Sequence, residues 1–316
     1  MSTQFVDVTA GRIGYEVTGD GPLVVLSNGM GETRSSWRFL APILVKAGYK
    51  VAAVDLRGHG ESSTGWASYS RADTAGDLIA VIEAIGGEAA APAVIIGQSF
   101  SGGSATIAAA TRPDLIRAIV EIDPFTRPAT ISLSALLTNA HYRKGGLLLM
   151  RVAFTGSVKT WKKYLDHAYP AVKPADWDEW LAALEVNLRE HGAIKAARKM
   201  GMSQPVDARD ALPGVHCPVL VLMGSKDPDW PDPEAEARAI VGLLPQVPSR
   251  YVMIDGAGHY PNVQFPERVA AAVLPFLAEH TGTGAATGTG TAEGAGTDTG
   301  AGTDTGTGAD AGRAGA

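Results

Sequence analysis

The sequence of 316 residues contains a single cysteine, Cys217. One cysteine excludes an intrachain disulfide framework and a cysteine-based zinc site. No apolar run reaches the roughly 18 residues that a membrane-spanning helix needs, so we expect no membrane span. The opening MSTQFVDVTAGRIGYE lacks a basic segment followed by an apolar stretch. We therefore expect no secretory signal and a cytoplasmic location.

Large apolar side chains are absent from residues 281–316, which contain 12 Gly, 10 Thr, 9 Ala, four acids and one Arg. Such a composition cannot bury enough surface to offset the entropy lost on ordering. We therefore predict a disordered Thr/Gly/Ala-rich tail at 281–316. The other 280 residues are long enough for one sizeable core.

An excess of charge of one sign is also missing. The formal net charge is −6 for the whole chain and −3 without the four acids and one arginine of the tail. This near-neutral balance argues against nucleic acid or an anionic membrane as the main partner.

Short apolar runs bounded by Gly, Asp and Pro recur along the chain. Continuous rather than alternating hydrophobicity is what a strand covered on both faces needs. An alternating stretch around Ala10 predicts an antiparallel hairpin at one edge. The predicted strands are 5–8, 13–17, 23–26, 51–54, 94–96, 116–122, 219–223 and 251–254.

Helical patterns separate these runs and predict an α/β fold, with a mostly parallel central sheet flanked by helices. The predicted helices are 37–47, 72–85, 99–111, 234–243 and 266–279. From 125 to 210 the pattern is helical without a convincing strand, and we predict an inserted helical cap there. Residues 1–124 and 211–280 are then the two parts of the core, followed by the tail.

A predicted strand-to-helix turn around Ser99 carries the strongest local signal, reading Val-Ile-Ile-Gly-Gln-Ser-Phe-Ser-Gly-Gly from Val94. Small residues are needed there because a sharp turn crowds the backbone while it presents the serine at the sheet edge. Ser99 is therefore expected to be an exposed nucleophile. A phosphate-binding turn is the alternative, but no Gly-Lys-Ser/Thr follows, as a P-loop would require.

A serine hydroxyl needs a neighbouring base and a third group that orients the base. Asp227 follows the predicted strand 219–223, and His259 follows the predicted strand 251–254. The chain order Ser99, Asp227, His259 is the order of a Ser-His-Asp triad on this type of sheet. Loops at the carboxyl ends of parallel strands share one edge, so the three side chains can converge.

As a set, these motifs resemble the α/β-hydrolase-fold superfamily, in its serine-nucleophile branch with a helical cap. The segment Asp-Leu-Arg-Gly-His-Gly-Glu-Ser at 55–62 resembles the family's turn after the strand that precedes the elbow strand. Residues 27–31 resemble its oxyanion-hole loop. Three positions differ from the family pattern: Asn28 stands where a histidine is usual, Ser101 replaces the last glycine of Gly-x-Ser-x-Gly, and Gln264 stands where many members carry a glutamate after the histidine.

The resemblance implies that the backbone N–H groups of Met30 and Phe100 form the oxyanion hole. The alternative is that residues 28–31 form only a turn. The chemistry of a Ser-His-Asp triad requires no organic cofactor and no metal, and we expect neither.

Other residues compete for the acid and base roles. His59 is a second candidate base, but it lies in a structural motif and we interpret it as a hydrogen-bonding scaffold residue. Asp123 ends a strand from which some family members supply the acid. Asp229 and Asp232 share the loop of Asp227, and we interpret them as helix-leading or solvent-exposed acids. We favour Asp227, because its spacing from the strand end is the family's.

The predicted cap is rich in aromatic residues, which at helical spacing mostly pack against one another. They are Trp161, Tyr164, Tyr169, Trp177 and Trp180. Some must face the Ser99 pocket if the cap covers it, which suggests a mostly apolar substrate. We interpret the charges at Lys159, Lys162, Lys163 and 189–199 as a solvated helix face.

These inferences lead to one hypothesis: a serine hydrolase that cleaves a small or medium carboxylic ester, thioester or lactone through an acyl-enzyme intermediate. Its partner is a small molecule, and the oligomeric state is left open. A cofactor-free haloperoxidase or perhydrolase, a carbon–carbon bond hydrolase and a non-catalytic ligand-binding protein are the alternatives. Ser99 argues against the haloalkane dehalogenase and epoxide hydrolase branches, whose matching residue is an aspartate.

Overall fold

The computed structural model describes residues 2–86, 91–129 and 131–282, within which the chain forms eight strands and twelve α-helices. The strands are β1 Gln4–Val8, β2 Gly11–Thr18, β3 Leu23–Ser27, β4 Lys50–Val54, β5 Ala93–Gln98, β6 Ile116–Ile122, β7 Val219–Gly224 and β8 Ser249–Ile254. The helices are α1 Leu40–Lys46, α2 Arg71–Gly86, α3 Phe100–Thr111, α4 Leu133–Thr138, α5 Ala140–Thr155, α6 Val158–Ala168, α7 Trp177–Glu190, α8 Ala193–Gly201, α9 Val206–Ala211, α10 Pro233–Gly242, α11 Pro261–Gln264 and α12 Pro266–Thr281.

The strands form one sheet in the order β1-β2-β4-β3-β5-β6-β7-β8. The pairs β1·β2 and β2·β4 are antiparallel, and all the other neighbouring pairs are parallel. Val24 of β3 lies opposite Val51 on one side and Val94 on the other. The predicted α/β fold with an antiparallel hairpin at one edge is confirmed.

Side chains that alternate along the central strands enter two separate hydrophobic cores. In β5, Ala93 and Ile95 face the core that α2, α3 and α10 cover. Val94 and Ile96 face the opposite core, which α1 and α12 cover. Because successive strand residues point to opposite faces and both faces are covered, every position must be apolar. This is the reason why the central strands read as continuous rather than alternating hydrophobic runs.

A helical insertion, residues 133–214, lies between β6 and β7. It contains α4 to α9 and a 3₁₀ turn at Leu212–Gly214. Its core is aromatic, with Trp161, Tyr164 and Tyr169 almost fully buried. Tyr260, which follows the loop after β8, packs into the same cluster. The insertion is therefore joined to the sheet at the carboxyl ends of its strands.

One predicted helix differs from the structure in extent. The predicted helix 37–47 is a 3₁₀ turn at Arg34–Trp37 followed by α1. The predicted tail at 281–316 falls, from residue 283 onward, outside the described residues. No helix in the described part of the chain is long and apolar enough to cross a membrane.

Candidate active site

Ser99 occupies a sharp turn between β5 and α3. Its backbone has φ 56° and ψ −117°, a region that a non-glycine residue adopts only when the surroundings impose it. A side chain at Gly97 would lie 2.3 Å from the carbonyl oxygen of Ser101, so only glycine fits before the turn. The sequence Gly-Gln-Ser-Phe-Ser thus folds as the predicted strand-to-helix elbow, with Ser99 at the carboxyl end of β5. The prediction that Ser99 is exposed is wrong: the residue is 5% exposed, because residues of the helical insertion line the same cavity and cover it.

His259 and Asp227 extend from Ser99 as a chain of hydrogen bonds. His259 Nε2 lies 2.8 Å from Ser99 Oγ, and His259 Nδ1 lies 2.8 Å from Asp227 Oδ2. A carboxylate can only accept, so Nδ1–H donates to Asp227 and Nε2 is free to accept from the serine hydroxyl. Three residues that lie far apart in the sequence, as predicted, are in contact at one edge of the sheet.

The backbone of His259 is held from two sides. Its N–H donates to the carbonyl oxygen of Ala168, at the end of α6, over 3.0 Å. Its carbonyl oxygen accepts from Gln98 Nε2 at 2.9 Å. The residue before the serine and the helical insertion therefore both fix the position of the imidazole.

Asp229 is not the solvent-exposed acid that the sequence suggests. Its side chain is 2% exposed, and its Oδ2 lies 3.5 Å from His259 Nδ1. Tyr164, from the helical insertion, donates its hydroxyl to Asp229 Oδ2 over 2.7 Å. The Asp229 N–H donates to Asp227 Oδ1 at 2.9 Å. Asp229 thus lies beside the imidazole and braces Asp227, because the insertion covers a loop that the sequence alone would leave in water.

Asp232 has the role that the sequence predicts for it. It is exposed and caps α10 by accepting from the N–H of Ala235 at 3.0 Å.

The carboxylates around His259 control its protonation. Burial lowers the pKa of His259, but the opposing charges of Asp227 and Asp229 outweigh burial and raise it above its ordinary value. Burial raises the pKa of Asp229 to about 7, against the opposing effect of His259. The imidazole is therefore a stronger base than a free histidine, and its charge is coupled to that of Asp229.

Asp123, the alternative candidate for the acid, is not the residue bonded to the imidazole, since His259 Nδ1 bonds Asp227. Its Oδ1 accepts from the N–H of Gly224 over 2.8 Å. Burial and the charge of Asp227 raise its pKa well above the ordinary value. Ligating atoms of Asp123, Asp227 and His259 lie within 4.8 Å of one another, the one such group in the described residues. Because Asp227 and His259 bond each other, we interpret the group as part of the Ser99 chain, and the metal-free site stays a prediction.

The predicted oxyanion loop lies against the elbow. A side chain at Gly29 would approach Ser99 Cβ to 3.0 Å, so the loop passes directly beside the serine. Phe100 is the first residue of α3, and the N–H groups of a first helical turn have no partner within the helix. Among the described residues, no acceptor bonds the N–H of Met30. Neither predicted donor has a backbone partner among the described residues, and their role as an oxyanion hole stays a prediction.

His59 holds this loop in place. Its Nε2 accepts from the N–H of Gly31 at 2.9 Å, and its Nδ1 donates to the carbonyl oxygen of Arg57 at 3.1 Å. Burial lowers the pKa of His59 to about 4, so the ring stays neutral in the tautomer that makes both bonds. Its position is that of the scaffold residue the sequence predicts.

Two of the three departures from the family pattern, Asn28 and Ser101, contact each other. Ser101 Oγ donates to the carbonyl oxygen of Asn28 at 2.6 Å and lies 2.9 Å from Ser27 Oγ. The hydroxyl that replaces the family's glycine thus joins α3 to the predicted oxyanion loop, a contact that glycine could not make.

A cavity of about 240 Å³ opens beside Ser99. Most of its lining is apolar and comes from the helical insertion, including Leu149, Val152 and Trp161. Trp161 stacks on Tyr164, with ring centroids 5.1 Å apart. Most of the aromatic residues of the insertion pack against one another, as predicted, while Trp161 also borders the cavity.

Two arginines line the cavity that were not predicted as site residues from the sequence. Arg71 begins α2, and Arg198 lies on α8 in the segment interpreted as a solvated helix face. That interpretation is wrong for Arg198, which is half-buried and donates to the carbonyl oxygen of Ala153. It holds for Lys159 and Lys163, which are exposed.

Several known proteins are similar to this chain in sequence or in fold. A 2-(acetamidomethylene)succinate hydrolase from Mesorhizobium japonicum is 29% identical over 280 residues, covering 85% of this chain and 94% of that protein. Epoxide hydrolase B from Mycobacterium tuberculosis is 36% identical over 116 residues, covering 36% of this chain and 32% of that protein. The structure of a thermophilic esterase from Thermogutta terrifontis, with malate bound, matches with a TM-score of 0.69 and 26% identity, over 89% of this chain and 100% of that one.

These similar proteins are hydrolases, as the sequence predicts for this chain. The sequence model of the alpha/beta hydrolase family matches residues 24–272, which is most of the chain. The chain therefore belongs to the alpha/beta hydrolase family.

Proposed function

We propose that the protein is a serine hydrolase that cleaves a small or medium carboxylic ester, thioester or lactone. The observation that carries the proposal is the hydrogen-bonded series Ser99, His259, Asp227, in which both contacts measure 2.8 Å. A serine on a strained turn, a base within reach and a carboxylate that orients the base are what nucleophilic acyl transfer requires.

In the proposed reaction, His259 Nε2 takes the hydroxyl proton as Ser99 Oγ attacks the acyl carbon. The negative charge that develops on the carbonyl oxygen is stabilised by the N–H groups of Met30 and Phe100. His259 then gives its proton to the leaving oxygen or sulfur, and an acyl-enzyme remains. Water, deprotonated by the same imidazole, attacks the acyl-enzyme and releases the acid and the free serine.

The helical insertion acts in this proposal as a cap. It supplies most of the apolar wall of the cavity, and Tyr164 and Ala168 tie it to Asp229 and His259. The cavity, at about 240 Å³, is smaller than the roughly 300–1,000 Å³ of pockets for drug-sized ligands. A short acyl group therefore fits the proposal best.

The similar proteins are all hydrolases, which supports hydrolysis, but their names refer to different kinds of substrate. One is named for a succinate derivative, another for epoxides, and the similar structure is an esterase. In the epoxide hydrolase branch, the family resemblance implies an aspartate nucleophile at the position that Ser99 occupies in this chain. We therefore favour an acyl substrate over an epoxide.

Hydrolysis of short p-nitrophenyl esters tests the proposal. Ser99→Ala should abolish turnover while circular dichroism and Tm stay at the values of the unmodified protein. Ser104→Ala is the matched control, because Ser104 is a buried serine of α3, the helix that follows Ser99, and its hydroxyl donates to the carbonyl oxygen of Phe100. Turnover that Ser99→Ala leaves undiminished would reject the assignment, and turnover of an epoxide panel alone would favour the other branch.

A further inference from the structure

Arg71 is a buried arginine in the wall of the Ser99 cavity. It is 4% exposed, and it lines the cavity together with Ser99 and Phe100. Its guanidinium lies over the ring of Phe100, 4.3 Å from the ring centroid. Phe100 directly follows the proposed nucleophile, so the positive charge is held close to the proposed site of acyl transfer.

The contacts of Arg71 fix its position without neutralising its charge. Its Nε donates to the carbonyl oxygen of Phe125 at 3.2 Å, and its Nη1 donates to that of Ser203 at 3.0 Å. A side chain at Gly103 would lie 2.9 Å from Arg71 Cδ, so this glycine leaves room for the arginine stem. Among the described residues, the two hydrogen bonds of Arg71 go to backbone carbonyl oxygens, Nη2 has no bonded acceptor, and no carboxylate forms an ion pair with Arg71.

A buried guanidinium such as that of Arg71 is energetically unfavourable when no carboxylate pairs with it. Burial lowers the pKa of Arg71 to about 10, while the charge of Asp207 opposes this effect without contact. The guanidinium therefore stays charged at neutral pH. A buried charge without a counter-ion is strongly unfavourable, and buried charges in proteins are normally paired.

The rest of the cavity wall strengthens the positive field. Arg198 lines the same cavity, and its Nε donates to the carbonyl oxygen of Ala153, which is also neutral. No described residue that lines the cavity is acidic. The site thus combines an apolar wall with two cations, neither of which pairs with a carboxylate in the part of the chain that the structure describes.

We propose that the substrate carries a carboxylate on its acyl part, and that Arg71 binds this carboxylate while the ester carbonyl lies against Ser99. The planar guanidinium suits a carboxylate because its N–H groups can donate in parallel to both oxygens. The preferred substrate class is then the half-ester, or half-thioester, of a short dicarboxylic acid. This inference rests on the proposed function and adds the charge of the substrate to it.

A matched pair of substrates tests the proposal. Mono-p-nitrophenyl glutarate is the anionic member, and the neutral member has an isopropyl group in place of the terminal carboxylate. The unmodified protein should show a kcat/KM at least tenfold higher for the anionic ester. Arg71→Gln should lower the ratio of the two values about tenfold or more, and Arg71→Lys should lie between. Arg151→Gln removes the same charge from an exposed residue that lies in the sequence between the cavity-lining Met150 and Val152, and it should leave the ratio unchanged.

Binding of glutarate to the inactive Ser99→Ala variant, measured by calorimetry, separates this proposal from the proposed function. Adding Arg71→Gln should weaken that binding about tenfold. If neither ester is hydrolysed, the proposed function fails and glutarate binding alone decides the role of Arg71. A preference for the neutral ester in the unmodified protein, an unchanged ratio in Arg71→Gln, or glutarate affinity that is independent of Arg71 would overturn the inference.

Discussion

Replacing Asp229 by asparagine tests how carboxylates control the proposed base. Asp229 Oδ2 lies 3.5 Å from His259 Nδ1, and both side chains are 2% exposed. At an effective dielectric constant of about 20, unit charges at this separation attract each other by about 5 kcal/mol. That energy corresponds to roughly 3.5 pH units, at about 1.4 kcal/mol for each. It is an upper limit, because burial raises the pKa of Asp229 to about 7 and leaves it partly protonated at neutral pH.

The sign of the effect follows from which form of the imidazole the carboxylate favours. Ionised Asp229 stabilises protonated His259 and so raises the pKa of His259. In Asp229→Asn the imidazole therefore becomes available as a base at lower pH. We expect the acid limb of kcat/KM to lie above the ordinary histidine pKa of about 6.5 in the unmodified protein. In the variant it should move down by at least about one pH unit.

The assay is the initial rate of p-nitrophenyl ester hydrolysis across the pH range, read at the isosbestic wavelength of nitrophenol. Rates with Ser99→Ala give the background. Asp232→Asn is the matched control, because it removes a charge from the same loop and asparagine caps a helix as well as aspartate. Superimposed acid limbs for the unmodified protein and Asp229→Asn would refute the reasoning, and so would an upward movement.

Three further variants address the other parts of the site. Asp227→Asn should lower kcat for ester hydrolysis by about 10⁴-fold, because an amide no longer holds the Nδ1–H tautomer of His259. His59 has its pKa lowered to about 4, so it contributes stability above pH 6.5 that is lost as the pH falls. The free energy of unfolding, measured in urea, should fall between pH 7 and pH 5 by about 2 kcal/mol less in His59→Gln than in the unmodified protein. Trp161→Ala should lower the free energy of unfolding by about 3–5 kcal/mol, measured in urea, since Trp161 is 1% exposed.

Each of these variants has an outcome that would contradict its explanation. Full activity in Asp227→Asn would mean that another group, such as Asp229, orients the imidazole. An unaltered pH dependence of stability in His59→Gln would show that His59 is not neutral in the folded protein. A loss below about 1 kcal/mol in Trp161→Ala would place that side chain outside the core of the helical insertion.

The sheet and the meeting of Ser99, Asp227 and His259 could be predicted because both depend on local patterns. A strand such as β5 needs an unbroken apolar run, since helices cover both of its faces. Parallel strands place the loops at their carboxyl ends along one edge, so the residues that follow β5, β7 and β8 come together.

The surroundings of Asp229 and Arg71 could not be predicted, because contacts with distant residues decide their burial. Asp229 looks like a loop acid in the sequence, and only the hydroxyl of Tyr164 from the helical insertion shows that it is enclosed. Arg71 begins an ordinary helix, and its partners Phe125 and Ser203 follow by more than fifty residues. No periodicity or spacing records such contacts.

Some predictions keep their status as predictions. The boundaries of the cap, the cytoplasmic location and the absence of a metal or cofactor rest on the sequence. The disordered Thr/Gly/Ala-rich tail is also a prediction from the sequence, because it lies outside the described residues from 283 onward.

The most direct test of the central claim is the site of covalent labelling by a fluorophosphonate probe, located by peptide mass spectrometry in the folded protein. We expect one equivalent of label on Ser99, because His259 lies 2.8 Å from its hydroxyl and can take its proton. His259→Gln should slow this labelling strongly. Folded protein that stays unlabelled at Ser99, or that carries the label on another residue, would contradict the account.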